Sequence, residues 1–398
     1  MTKMYYRELS CGAPVRFWIG LGLLGAIIAL GLGAAFYMEH NGHWVTGMSN
    51  QVVWGLPHVF AIFLIVAASG ALNVASIGSV FGGPLYKPLG RYSGLLAIGL
   101  LAGGLAVLVL DLGRPDRLIV AMTEYNFKSI FAWNVILYSG FFAIVGVYLW
   151  TMMDRSVQKY SRPAGFVAFF WRIALTTGTG SIFGFLVARE AYDAAIMAPM
   201  FVIMSFSYGL AFFIITLIAA YMWGDREIGD YRLTKLKNLL GVFVGAVLYF
   251  TLVFNLTNLY ITQHHGIERF ILLDGGIYTQ MFWFGQILVG SVLPLFLIYS
   301  PAFNKARWAI AAASIAVLIG GFFQIYVIVI GGQAFPMNIF PGKEVLESNF
   351  YDGVVATYTP TLPEAALGVA GIAITLAMVA VGARLFKVFP ETLEDPAN

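Results

Sequence analysis

Residues 93–117 read SGLLAIGLLAGGLAVLVLDLGRPDR. No charged residue occurs between Arg91 and Asp111. An apolar run of about twenty residues is long enough to cross a hydrocarbon core as a helix. Lipid offers the backbone no hydrogen-bond partner, so a helix is the form such a run takes. Asp111 ends the run, and Gly113 and Pro115 stop the helix and set the turn after it. A carboxylate at such a place is costly unless it is paired or hydrated.

Nine similar runs surround this one. The ten spans are expected at about 16–37, 56–80, 93–112, 130–152, 165–188, 197–223, 239–262, 279–299, 308–331 and 365–386. Hydrophobic residues make up 60% of the 398-residue chain and charged residues 11%, too few charges for a water-soluble surface. The reading is an all-α polytopic membrane protein, one integral membrane domain over residues 1–398. The first helix follows MTKMYYRELSCGAPVRF with no cleavage-site pattern, so it is expected to be retained. The glycines within the spans are read first as packing positions.

Lys and Arg set the expected orientation. Sixteen fall on the side of the termini and six on the opposite side, with Arg172 inside a span. Both termini are therefore expected in the cytoplasm, and the chain in the cytoplasmic (inner) membrane. Half of the six opposite charges (Arg114, Arg117 and Lys128) lie in the single loop 113–129. The longest loop, 332–364, carries prolines and aromatics and is expected to fold as a cap.

Several classes drop out. A net charge of +3 is too small and scattered for nucleic acid. Cys11 is the only cysteine, which excludes an internal disulfide and a Cys-ligated cluster within this chain. No GxxxxGK[ST], HxxxH or HExxH motif occurs, so neither ATP chemistry nor a metal-hydrolase site has support. No metal site is expected. The five histidines mostly sit in outer loops, and a haem pairing of His58 with His264 or His265 is the weaker reading of them.

The densest polar cluster runs Asp111-Leu-Gly-Arg114-Pro-Asp116-Arg117 and then Glu124-Tyr-Asn126-Phe-Lys128-Ser129. Arg114 is three residues after Asp111, within reach across one helical turn. That pair reads as an interfacial salt bridge, or as a site that holds a polar headgroup and moves protons. His58 is the one histidine expected inside a span, near the outer end of the second. It can hydrogen-bond a quinone carbonyl and exchange its proton near neutral pH, or simply bond a neighbouring helix. Asn50, Gln51 and Trp54 precede it. His58, Asp111 and Asn126 are expected at one depth on three neighbouring spans. Arg172, Thr176 and Asn258 are intramembrane polar groups that can line a proton path or act as interhelical hydrogen bonds.

Trp54-Gly55, Ser69-Gly-Ala-Leu-Asn73, Asp111-Leu-Gly-Arg-Pro115 and Asn126-Phe-Lys-Ser129 together resemble the NrfD/PsrC family of quinone-interacting membrane subunits. The resemblance covers roughly residues 50–300. The closing loop, with the stretches 332–342 and 358–364, looks most like the DsrP branch, which belongs to the DsrMKJOP complex of sulfur-metabolising organisms. The resemblance implies two four-helix bundles plus extra helices, and no haem or iron–sulfur cluster in this chain. It implies an exchangeable menaquinone or ubiquinone. It also implies an extracytoplasmic iron–sulfur partner, with other subunits of a membrane redox complex, docked on the face of the Leu-Gly-Arg-Pro loop. In relatives a His and an Asn near the first family helix contact the quinone. Val53 stands where some relatives place that His, and His58 lies one turn deeper.

The expected function is thus a quinone-reactive subunit of a respiratory oxidoreductase in sulfur metabolism. His58 and Asp111 would handle the proton, and Asn50, Gln51, Trp54, Arg114 and Asn126 would help bind the headgroup. A secondary transporter would place its polar groups at mid-membrane. A passive anchor would hold the redox partner without binding quinone.

Overall fold

The computed structural model describes residues 5–9, 14–224, 226–303, 306–337, 354–391 and 393. Among them, ten helices are long and apolar enough to cross a membrane. They are α1 (Val15–Asn41), α2 (Leu56–Ser79), α3 (Lys87–Leu110), α4 (Ile130–Met153) and α5 (Gln158–Gly184). The others are α6 (Met197–Trp223), α7 (Asp230–Tyr260), α8 (Ile277–Tyr299), α9 (Arg307–Ala334) and α10 (Leu362–Leu385). The protein is an all-α, multi-pass integral membrane protein.

Several helices run longer than their apolar stretches, α5 and α7 among them. α5 begins at Gln158, not near 165, and ends at Gly184, before 188. α7 begins at Asp230, not near 239. Each starts with polar and basic turns, carrying Arg162 in α5 and Arg232, Lys235 and Lys237 in α7. An apolar-run criterion excludes such turns, yet their backbone bonds form equally well at a wet helix end. α9 likewise continues to Ala334, so the loop after it starts later than 332. About half of the cap expected over 332–364, residues 338–353, lies outside the described residues, as does Cys11.

Helices α2 to α5 pack as one bundle and α6 to α9 as a second. α1 lies against α10, and α10 against α3 and α2, which makes the pair an addition to the first bundle. This is the expected arrangement of two four-helix bundles plus extra helices. α2 crosses α6 where the bundles meet, and the crossing depends on two glycines. A Cβ on Gly70 would collide with the Ser205 carbonyl oxygen, and one on Gly209 with the Ala71 nitrogen. Small residues allow this backbone approach in lipid, where no hydrophobic force drives helices together.

Both ends of the chain meet on one face. There β1 (Tyr6–Arg7) pairs antiparallel with β2 (Phe389–Pro390), and Arg7 forms an ion pair with Glu391. The opposite, distal face carries the loop 113–129, which folds as a turn over Pro115–Arg117 and a short helix over Leu118–Thr123. The start of α10 is tied down at this face. Glu364 accepts from the Thr361 amide at 2.8 Å, the Gly47 amide at 2.9 Å and the Tyr358 hydroxyl at 2.6 Å. Burial and the adjoining carboxylate push the Tyr358 phenol well above its usual range, so it stays a donor.

Candidate functional site

α2 opens at the distal face with Leu56-Pro57-His58. Proline is tolerated in a first helical turn because its missing N–H would have had no partner there. α3 ends beside it at Leu110, so the start of one helix meets the end of its antiparallel neighbour. The result is a close couple. His58 Nδ1 lies 2.7 Å from Asp111 Oδ2, and the Asp111 side chain is wholly buried. The ring is turned so that its N–H is not aligned on the oxygen; His58 Nδ1 and both Asp111 oxygens lack an aligned hydrogen bond. Catalytic hydrogen bonds commonly tighten only when substrate binds.

His43, in the turn His43–Val45 after α1, completes the cluster. Its Nε2 is 3.0 Å from the Asp111 carbonyl oxygen and 3.9 Å from Oδ1. Asp111 therefore sits between two imidazoles. Sequence reading did not find His43, which lies 68 residues away in a loop with no motif of its own.

Two hollows meet at His58. One is an apolar cavity of about 440 Å³ enclosed by α2 to α5, walled by residues such as Ile65, Leu108 and Phe183. Its polar groups are few: His58, Asn134, Tyr138, Ser139 and Thr179. The other is a shallower hollow of about 590 Å³ on the distal surface, lined by His43, Asn50, His58 and Asp111 among others. A largely apolar pocket of several hundred Å³ with a few placed polar groups is the usual form of a small-molecule site. His58 lines both hollows, and Asp111 and His43 stand on the watery side of it.

Asn134 is a further polar group that sequence reading passed over. Its amide donates to Ile130 O at 2.9 Å and Gly178 O at 3.2 Å, and its buried Oδ1 has no partner. That leaves an acceptor on the cavity wall. Tyr138 stands 3.4 Å from the Thr179 hydroxyl, one turn deeper.

Trp54 forms the outer wall. Its indole is stacked 6.3 Å from the His58 ring and meets Phe131 and Phe183 edge-on at 6.1 and 5.9 Å. One side chain holds its backbone. Gln333, at the end of α9, accepts from the Val53 and Trp54 amides at 3.0 Å each and donates to the Trp54 carbonyl at 3.0 Å. A π-helical turn over Val327–Gly331 precedes Gln333. Such turns are frequent at functional sites.

The other expected site residues divide. Asn50 is exposed at the rim of the distal hollow. Gln51 is a tether, donating to Ala334 O at 3.3 Å and accepting from Arg189 at 2.8 Å. Arg114 does not reach Asp111. It makes two bonds to Asp116, at 3.1 and 3.0 Å, on an exposed turn. The helix ends at Leu110, so the three-residue spacing no longer puts the two on one face. Asn126 is also exposed, and its side chain accepts from the Lys128 amide at 3.0 Å, a local turn bond that keeps it from the His58–Asp111 couple. Arg172 is buried in α5 between the rings of Phe169 and Phe206, at 4.9 and 5.1 Å. Thr176 stands 2.5 Å from the Ser69 hydroxyl beside it. Asn258 belongs to the other bundle, bonded to Glu268 at 3.2 Å and His264 at 3.1 Å. His58 and His264 thus have separate partners in separate bundles. Among the described residues no group of three or more His, Cys, Asp or Glu side chains is placed to hold a metal ion.

Comparison with known proteins gives one family. The model of the family described as "Polysulphide reductase, NrfD" matches residues 44–337. The sequence is 28% identical to the Hdr-like menaquinol oxidoreductase integral membrane subunit of Archaeoglobus fulgidus, over 96% of this protein and 95% of that one. It is 28% identical to a putative dimethyl sulfoxide reductase membrane subunit of Halobacterium salinarum, over 94% and 92% of the two proteins. It is 19% identical to the menaquinone reductase integral membrane subunit of Nitratidesulfovibrio vulgaris, over 95% of this protein and 93% of that one.

Proposed function

The chain belongs to the NrfD polysulphide reductase family, and from that premise we propose that it is the quinone-reactive membrane subunit of a multi-subunit oxidoreductase. The carrying observation is the meeting of an apolar cavity and a surface hollow at one histidine, backed by a buried carboxylate. A quinol ring enters the cavity from lipid, among α2 to α5. One hydroxyl faces His58, and the far oxygen faces the polar groups of Asn134 and Tyr138.

Oxidation of a quinol to a quinone releases two electrons and two protons. The far hydroxyl gives up its proton along the Tyr138–Thr179 hydroxyl pair, while His58 accepts the other from the near hydroxyl at Nε2 and Asp111 stabilises the imidazolium that forms. The proton leaves through the distal hollow past Asp111 and His43. Reduction of a quinone runs through the same groups in reverse. An iron–sulfur partner docked on the distal face would take up the two electrons. The quinone carries the electrons, while this protein binds, orients and moves the proton.

Menaquinol is the favoured ligand, in keeping with the Archaeoglobus fulgidus relative's description. The Lys and Arg asymmetry supports termini in the cytoplasm and a distal face outside. The closing-loop resemblance supports a role in sulfur metabolism and a branch like that of DsrP. Arg172 and Thr176 continue the polar line of α5 below Thr179, which supports a proton route toward mid-span. Arg172→Leu then changes proton coupling more than quinone affinity, whereas equal loss of both makes Arg172 structural.

The test is quinone binding by the purified protein, read by fluorescence quenching of a quinol-site inhibitor, with Asp111→Asn beside wild type. Saturable binding that the substitution weakens supports the site. Absence of binding in folded protein, together with quinol oxidation by the intact complex that survives His58→Ala and Asp111→Asn, makes the protein a passive anchor.

A further inference from the structure

The second bundle has a polar interior that the quinone chemistry does not use. Glu268, on the short helix His265–Arg269 between α7 and α8, is 2% exposed. Its Oε2 accepts from Asn258 at 3.2 Å, and its Oε1 is buried without a partner. Below it, inside α6 to α9, lies a small cavity of about 50 Å³. A buried water needs about 10–15 Å³ and two or more polar partners.

The walls supply those partners. Asn258, Asn255 and Thr251 descend α7 about one turn apart, and Gln286 and Gln324 face them from α8 and α9. Both glutamine amides are 3.4 Å from the Thr251 hydroxyl. Gln324 in turn accepts from Tyr208 of α6 at 2.6 Å. The line of hydrogen-bonding groups therefore runs from the distal end of the bundle to its middle and stops at a buried tyrosine.

Among the described residues no cation neutralises the carboxylate. The titratable groups on the surrounding elements are His264 on the preceding turn, Glu190 on the segment between α5 and α6, and Tyr278 and Tyr326 on α8 and α9. His264 turns its Nδ1 to Asn258 Oδ1 at 3.1 Å. On Glu268's own turn, Arg269 is committed to Asp274 at 2.6 Å and His265 to the Leu259 carbonyl at 2.8 Å. A buried carboxylate without a counter-charge favours its protonated form.

We propose that Glu268 and the amide-lined shaft beneath it form a second proton-exchanging site, within α6 to α9 and separate from the His58–Asp111 couple. Glu268 takes up a proton from the distal face and shares it with water in the shaft. The Thr251–Gln324–Tyr208 relay seals the inner end. Burial raises the Glu268 carboxyl to about 7, against the opposing hydrogen bond from Asn258, so the group changes charge within the working pH range.

The inference stands apart from quinone binding, and its test uses no quinone. Infrared difference spectra of the purified full-length protein are recorded in a pH series. Wild type should show a protonated-carboxyl band that disappears as pH rises through about 7. Glu268→Gln should lack that band while Asp111→Asn keeps it. A band unchanged in Glu268→Gln, or one titrating in the ordinary carboxylate range, overturns the proposal. Should Glu268→Gln fail to fold, Asn258→Leu serves instead. Loss of its hydrogen bond to the carboxylate should move the midpoint upward, and an unmoved midpoint overturns the proposal equally.

Discussion

The two bundles enclose different kinds of space. The first holds about 440 Å³ of mostly apolar volume with its polar groups at the edges. The second holds about 50 Å³, walled by three amide-bearing helices and a buried carboxylate. An aromatic ring fits the former and only water fits the latter. The packing explains the contrast. The first bundle is braced from outside by α10 against α3 and α2, and its outer wall hangs on Gln333 from the second bundle. It can stay hollow because its neighbours carry its framework. The second bundle closes on itself, with Gly290 and Gly320 in backbone contact where α8 meets α9.

The sharpest test of this contrast removes charge from the first bundle alone. In the assembled complex, Asp111→Asn should lower quinol oxidation by about 10²-fold or more, the scale of a lost acid–base partner. It should leave the Glu268 carboxyl band untouched. A normal rate would mean that the couple is structural. A smaller effect comes from filling the space. Val135→Trp adds a ring to a cavity wall on α4 without altering a proton-carrying group. Affinity for a quinone-site inhibitor should fall about tenfold or more, the scale of 1–2 kcal/mol of lost fit. Unchanged affinity would put the ligand elsewhere, with the groove between α1, α6 and α10 as the next place to look.

Much of this was legible in the sequence, for a physical reason. Lipid forces apolar runs into helices, so all ten spans could be read from composition and length. His58 and Asp111 stood out because ionisable groups at helix ends in a membrane need a partner. The partner itself was not legible. Arg114 is near Asp111 only if the helix continues, and the backbone leaves helical geometry by Arg114, at φ −142° and ψ 70°. The true neighbours, His43 and His58, come from loops and helices 68 and 53 residues away in sequence. Asn134, Gln333 and Glu268 were equally hidden, since their partners are set by bundle packing and not by local spacing. Asn126 shows the reverse case: the sequence offers it as a long-range ligand, and in the fold its Oδ1 accepts a local turn bond two residues away.

Gln333 links the two bundles, so its loss should blur their difference. Gln333→Leu strands the Val53 and Trp54 amides and the Trp54 carbonyl. Unmade buried hydrogen bonds cost about 1–3 kcal/mol each, partly recovered by water at this edge. The unfolding midpoint should drop, and quinone-site affinity should fall a few-fold as the Trp54 wall loosens. Full affinity at a lowered midpoint would show that the wall orients without binding.

A gentler change acts through pH. Glu268 has a folded value of about 7, above the ordinary 4.5 of its side chain. Between those values the folded state holds more protons than the unfolded one, so stability declines as pH rises through that window. Glu268→Gln should flatten the decline, seen as a smaller change of midpoint between pH about 5 and about 8. A slope equal to wild type would assign the titration to another group.

The smallest effect is expected on the exposed loop. Arg114 and Asp116 are 65% and 60% exposed at the side chain, where water and salt screen the pair. Arg114→Ala should leave inhibitor affinity of the isolated protein within about twofold of wild type. If the loop is where the redox partner docks, the same variant should weaken assembly of the complex and raise its salt sensitivity. A large loss of inhibitor affinity in the isolated protein would instead mean that Arg114 swings inward when the cavity is filled, and the separation of docking loop from ligand cavity would fail.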